Sequence, residues 1–260
     1  MLISVVNRSR TLADSALQDA VRAINRQLEE DFYPHWQFGA RLRLDSAGRV
    51  PSMRERKVDV PRLPGRRGDA VIYVQDEPTM DDTAGFHDGN NADVPYGFVF
   101  LDACGQDADC WTVALSHETL ELVGDPLNNL LVQGTHPADR RRLVFHQFEM
   151  CDAVSGEYYE IEGVKVQNFL LPGWFSAQVV EGARNDFMGR AQPGLSLAPF
   201  SCGTGGYLMY WDDHQPEGRR WAYHYADNDE VAAGKVAAKM KSQGSRLGRR
   251  THHERRHVSE

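Results

Sequence analysis

Trp111-Thr112-Val113-Ala114-Leu115-Ser116-His117-Glu118-Thr119-Leu120-Glu121-Leu122-Val123-Gly124-Asp125-Pro126 is the stretch on which the reading of this chain turns. Few breakers and well-spaced apolar side chains predict a helix over 111–123, and Gly124 and Pro126 predict its end. On such a helix His117 and Glu121 stand one turn apart on the same face. Glu118 lies about 100° around from His117, within reach of a water held there. Leu115 and Leu122 point to the opposite side and anchor the helix in a core. Imidazole nitrogen and carboxylate oxygen are both good zinc ligands. The apolar run 111–115 leads straight into these residues, so the helix is expected to be buried. Uncompensated Glu118 and Glu121 would be costly in that place, and a metal is the simplest compensation.

Outward from the helix, Met1–Val6, 40–44, 70–74 and 97–101 read as strands, the third fully buried. Residues 11–31 read as an amphipathic helix with Leu12, Leu17, Val21, Ile24 and Leu28 on its apolar face, ended by Tyr33-Pro34. Residues 45–68, rich in Pro, Arg and Gly, read as an exposed connection, and 75–96 as a long polar loop able to cover a cleft. Beyond the helix the chain reads mainly as β structure. Tyr158–Val166 is expected to turn at Glu162-Gly163, and Gly206–Tyr225 to form a hairpin around 215–218. A last helix through Val231, Val236 and Met240 is expected after a cap at Asp227 or Asp229. This order predicts an α+β fold: a mixed sheet with an active-site helix, followed by a β-rich second half. Residues 1–233 read as a single domain, with a possible sub-boundary near 127–142, and 234–260 as a basic, partly disordered tail.

The bulk composition, 41% hydrophobic and 25% charged over 260 residues, is that of a globular protein with a substantial core. No stretch approaches the roughly 20 apolar residues of a membrane helix. The N-terminus lacks a basic region followed by a long apolar run, so a cytoplasmic location is expected. Cys104 and Cys110 flank a short polar loop, and either pair in an oxidising compartment or stay reduced. The net charge of −8 combines a tail at +6, from 8 Lys/Arg against 2 Asp/Glu in 234–260, with a body at −14. A basic tail admits nucleic-acid contact, but the acidic body argues against a large binding face.

The helix resembles that of zincin metallopeptidases, His-Glu-x-x-His, in which two ligands bracket a general base. It departs from that pattern at the second ligand, Glu121, and so resembles an HExxE variant. The resemblance covers roughly residues 70–126. It implies a zincin-like fold, His117 and Glu121 as metal ligands, Glu118 as base, and 97–101 as an edge strand pairing with extended substrate. A second carboxylate makes the site harder than usual, so zinc is the first expectation with Mn²⁺ or Ca²⁺ as alternatives. Gly124 falls where the metzincin motif places its turning glycine, but that motif's third ligand would land on Leu127, which cannot bind metal.

The third ligand is expected beyond the helix. Glu149 and Asp152 resemble the pair that gluzincins use, with Glu149 as ligand and Asp152 either ligand or orienting partner of His117. Asp125, two turns from His117, reads as a helix-end aspartate. His136 and His146 read as structural, Trp174-Phe175 as core, and Tyr207 or Tyr210 as an optional oxyanion donor. The function expected is metal-dependent hydrolysis of a peptide or protein substrate. The alternative is a zincin-fold structural or interaction protein that binds metal without turnover.

Overall fold

The apolar runs near 2–6, 40–44, 70–74 and 97–101 all become strands, because each buries alternate or successive side chains against a neighbour it can pair with. The architecture comes from a computed structural model that describes residues 1–45, 66–78, 84–90, 92–105, 107, 109–176, 178, 180, 182–189, 197–216 and 220–226. The expected connection across 46–65, the hairpin turn at 217–219, the last helix and the basic tail lie outside the described residues. The chain forms two compact units. One comprises Met1–Asn128 with Tyr158–Gln167; the other comprises Asn129–Glu157 with the described residues from Asn168 on.

The first unit is built on a mixed five-stranded sheet. Strands β1 (Leu2–Asn7), β2 (Arg41–Asp45), β3 (Ala70–Gln75), β4 (Gly85–Gly89) and β5 (Pro95–Phe100) lie in the order β2-β1-β3-β5-β4. The pairs among β2, β1, β3 and β5 are parallel, and β4 runs antiparallel to β5. β3 is buried from Ala70 to Val74, as its unbroken apolar run requires. Tyr96, Phe98 and Phe100 of β5 share one face with Phe86, Tyr73 and Val6 in an aromatic core cluster.

The first helix differs from its expected outline. α1 spans Asp14–Arg26, a wider π turn follows over Gln27–Phe32, and α2 (Tyr33–Trp36) continues the helical path. Pro34 does not end the run, because it occupies the first turn of α2, where a missing N–H costs nothing. Leu17, Val21, Ile24 and Leu28 are buried as their spacing demands.

A larger correction concerns 75–96, read as one long loop. Within it, Gly85–Gly89 forms β4, hydrogen-bonded to β5 with His87 opposite Gly97. Two glycines, a His and an Asp give this segment no strand propensity of its own, and pairing with β5 supplies what local preference lacks. The edge strand of the sheet is therefore β4 and not 97–101, which β4 covers.

The long site helix, α3, spans Cys110–Gly124 and packs against β4, β5 and a hairpin of β8 (Tyr158–Ile161) and β9 (Val164–Gln167), of which it touches β9. That hairpin turns at Glu162 and Gly163, both at positive φ (53° and 79°), as a tight two-residue connection requires. A buried polar triangle holds α3 in place. Ser116 Oγ donates to Gln27 Oε1 (2.6 Å), Gln27 Nε2 to the Gln167 carbonyl (2.8 Å), and Gln167 N to Ser116 Oγ (3.1 Å). Ser116→Ala removes the hydroxyl that serves two of these bonds. A loss of about 1–3 kcal/mol in urea unfolding is expected; an unchanged midpoint would show that the triangle is not what seats the helix.

The second unit contains an antiparallel sheet of β6 (Leu131–His136), β7 (Asp139–Gln147), β10 (Tyr207–Trp211) and β11 (Trp221–Tyr225), ordered β11-β10-β7-β6. Its core gathers Ala153, Val154, Leu170, Trp174, Phe200 and Leu208. Trp174 is 1% exposed and donates Nε1–H to the Ser201 carbonyl, which places it in the core as expected. The chain as described is α+β with mixed and antiparallel sheets.

Candidate metal centre

α3 begins at Cys110, which a disulfide joins to Cys104 with the Cα atoms 5.4 Å apart, so of the two readings of these cysteines the structure has the paired one. Thr112 Oγ1 donates to the Asp109 carbonyl at the helix start (2.8 Å), and Lys165 Nζ pairs with Asp109 across to β9 (2.9 Å). The helix ends at Gly124; Asp125 follows at its C-cap and donates N–H to the Glu121 carbonyl (2.7 Å). Asp125 is thus a buried helix-end residue, 1% exposed.

Between these ends α3 is buried almost all round. Leu115, Leu120 and Leu122 face the core at 0% exposure, and Glu118 and Glu121 are buried too. Of His117, Glu118 and Glu121, His117 is the partly exposed one. One helical turn brings His117 Nε2 to 3.1 Å from Glu121 Oε1, the juxtaposition anticipated from their spacing.

A residue that the sequence did not single out joins them. His87, on β4, places Nδ1 3.4 Å from Glu118 Oε2 and 3.7 Å from Glu121 Oε2. Strand alternation explains the placement. Gly85 and His87 face α3 and Gly89 faces Leu127 just beyond its end, while Phe86 faces the aromatic cluster. A Cβ on Gly85 would come within 2.8 Å of Glu118 Cγ and Oε1, and one on Gly89 within 2.8 Å of Leu127. Glycine at 85 is what lets β4 approach the acidic face of the helix, and glycine at 89 makes room for Leu127. Asn128 Nδ2 donates to the His87 carbonyl (3.3 Å), tying the strand to the turn after α3. The only hint in the sequence was a histidine inside the segment 85–89, masked by its loop-like composition.

The other expected residues lie in the second unit. Glu149 is buried and accepts a hydrogen bond from Gln147 Nε2; Asp152 opens a short 3-10 turn, Asp152–Val154, and is also buried. His136 Nε2 lies 3.3 Å from Tyr210 Oη, and His146 Nε2 donates to the Thr135 carbonyl (2.9 Å), both structural roles. Tyr207 and Tyr210 sit on β10. Asp212, Asp213 and His214 of this unit also bring donor atoms together, but Asp212 is already held by Arg142, Gln215 and the His214 N–H, and the other two are exposed.

At the junction of α3 and β4 the first unit places His117 against Glu121, and His87 against Glu118 and Glu121. Donors of this kind fit a divalent cation of borderline hardness. Their setting fits one as well: the Glu118 and Glu121 side chains are 7% and 5% exposed, and a bound cation would offset the cost of burying both carboxylates. Comparison with protein-family models, with curated proteins and with solved structures finds no match to this chain.

Proposed function

We propose that the chain is a metal-dependent hydrolase of zincin-like fold, acting on peptide or protein substrates, with His117 and Glu121 as ligands and Glu118 as general base. The observation that carries this reading is the α3 face itself: His117 Nε2 is 3.1 Å from Glu121 Oε1, with the carboxylate of Glu118 one residue away in a buried setting. When bound, zinc (or Mn²⁺ or Ca²⁺) supplies Lewis acidity and lowers the pKa of water. Glu118 takes a proton from water as its oxygen bonds to the amide carbon, and returns it to the amine as the C–N bond breaks. Glu149 and Asp152 remain proposed from sequence as further ligands, and the metal content of Glu149→Gln and Asp152→Asn tests each. The Cys104–Cys110 disulfide favours an oxidising compartment over the cytoplasmic location expected from the N-terminus. Among the described residues no helix is long and apolar enough to cross a membrane.

A second reading, a metal-binding protein without turnover, draws on one observation: Glu118 is 5% exposed and packs against Gly85, which suits a structural carboxylate as well as a base. Both readings require the metal. Elemental analysis of purified protein, after dialysis against trace zinc, is expected to find stoichiometric metal in the wild type and its loss in His117→Ala. A wild type without stoichiometric metal, matched by the variant in stability, would remove the basis of both.

A further inference from the structure

We infer that His87 of β4 is a positioning residue for the general base, holding Oε2 of Glu118 so that Oε1 exchanges the proton; this rests on the catalytic reading above. Glu118 is 5% exposed, and β4 lies against both oxygens of its carboxylate. His87 Nδ1 stands 3.4 Å from Oε2 in hydrogen-bonding geometry. Gly85 stands beside Oε1, where a Cβ would come within 2.8 Å of that oxygen and of Cγ. The strand thus offers a donor to one oxygen and adds no side chain against the other.

The direction of the bond follows from what surrounds Nδ1. It faces Glu118 Oε2 at 3.4 Å and Glu121 Oε2 at 3.7 Å, and carboxylates only accept. Nδ1 therefore carries a proton, and the nearer oxygen accepts it. The bond is longer than the roughly 2.7–3.2 Å of a strong N–H···O contact, so its part is to orient the carboxylate more than to stabilise it. Orientation needs a fixed donor, and His87 is fixed from its backbone. It pairs opposite Gly97 of β5, its carbonyl accepts from Asn128 Nδ2 (3.3 Å), and its side chain is 2% exposed.

With Oε2 engaged, Oε1 is the atom that handles the proton. As the water oxygen bonds to the amide carbon, the water proton moves to Oε1. It passes from there to the amine nitrogen as the C–N bond breaks. A catalytic group misplaced by about 1 Å can cost about 10²-fold in rate, so loss of the His87 donor is expected to act on kcat.

The test uses the full chain loaded with zinc and an unfolded protein substrate. His87→Leu, which fills similar space without a donor, is expected to lower kcat about 10–100-fold with KM and zinc content unchanged. His87→Asn, whose amide N–H can stand in for Nδ1–H, is expected to recover part of that loss. In the Glu118→Gln background, His87→Leu is expected to change the residual rate no further, because it acts through that carboxylate. In NMR spectra the Nδ1–H signal of His87 is expected to move in Glu118→Gln. Equal losses from His87→Leu in both backgrounds, full turnover in His87→Leu, or an unmoved Nδ1–H signal would each overturn this inference and leave Glu118 as base. Unchanged turnover in Glu118→Gln, or none in the zinc-loaded wild type, would overturn the catalytic reading first and this inference with it.

Discussion

Glu118→Gln is expected to lower peptide hydrolysis by about 10²–10⁴-fold while metal content stays at the wild-type level. The substitution keeps the shape of the side chain and removes its ability to accept a proton. Because Glu118 is buried against Gly85 and beside His87, an isosteric amide refills the same space without opening a cavity. Metal retention therefore separates loss of the base from loss of the site. The measurement is turnover of an unfolded protein substrate with elemental analysis of the same sample. Unchanged turnover would remove Glu118 from the mechanism; a metal-loaded wild type with no turnover would favour the non-catalytic reading.

Acid destabilisation through His146 has the second largest expected effect, and it belongs to the second unit. His146 is 1% exposed and stacks on Phe200 with ring centroids 4.7 Å apart. Its Nε2–H donates to the Thr135 carbonyl, and among the described residues its buried Nδ1 has no hydrogen-bond partner, so a proton added there finds no acceptor. Burial lowers its pKa to about 4, against the Thr135 bond that raises it, and the neighbouring His136 and His224 add to the lowering. Tyr210, also in this cluster, has its pKa raised by burial and by the charge of Asp212.

The sign follows from linkage. Above about pH 6.5 the imidazole is neutral in both states and its contribution to stability is complete. As pH falls from 6.5 towards 4 the unfolded chain binds the proton first, and stability drops by up to about 3 kcal/mol before levelling off. Urea unfolding across this range is expected to lose its steep part in His146→Gln, whose amide keeps a donor and does not titrate. Parallel slopes for the two proteins would assign the acid sensitivity elsewhere.

Some of this molecule was legible in local pattern alone. The spacing of Leu115, His117, Glu121 and Leu122 foretold both the helix and the juxtaposition on its face, because 3.6 residues per turn is a property of the chain and not of its surroundings. Gly124 and Pro126 foretold its end, and Glu162-Gly163 its hairpin turn, through the same short-range sterics. The four apolar strands were legible because each carries its own hydrophobic signal.

What lay beyond local pattern was decided by sheet order. Gly85–Gly89 has the composition of a loop, and only its hydrogen bonds to β5 make it a strand. That pairing sets His87, thirty residues before His117, against the acidic face of α3. Likewise Tyr158–Gln167, deep in the second half of the chain, belongs to the first unit, where Gln167 closes the polar triangle with Ser116 and Gln27. The sequence by itself determined the helix and the chemistry it carries, since periodicity and side-chain type act within a few residues. Which strand covers that helix, and which imidazole faces Glu121, was decided only in the tertiary structure, because backbone hydrogen bonding between distant segments leaves no periodic trace in either of them.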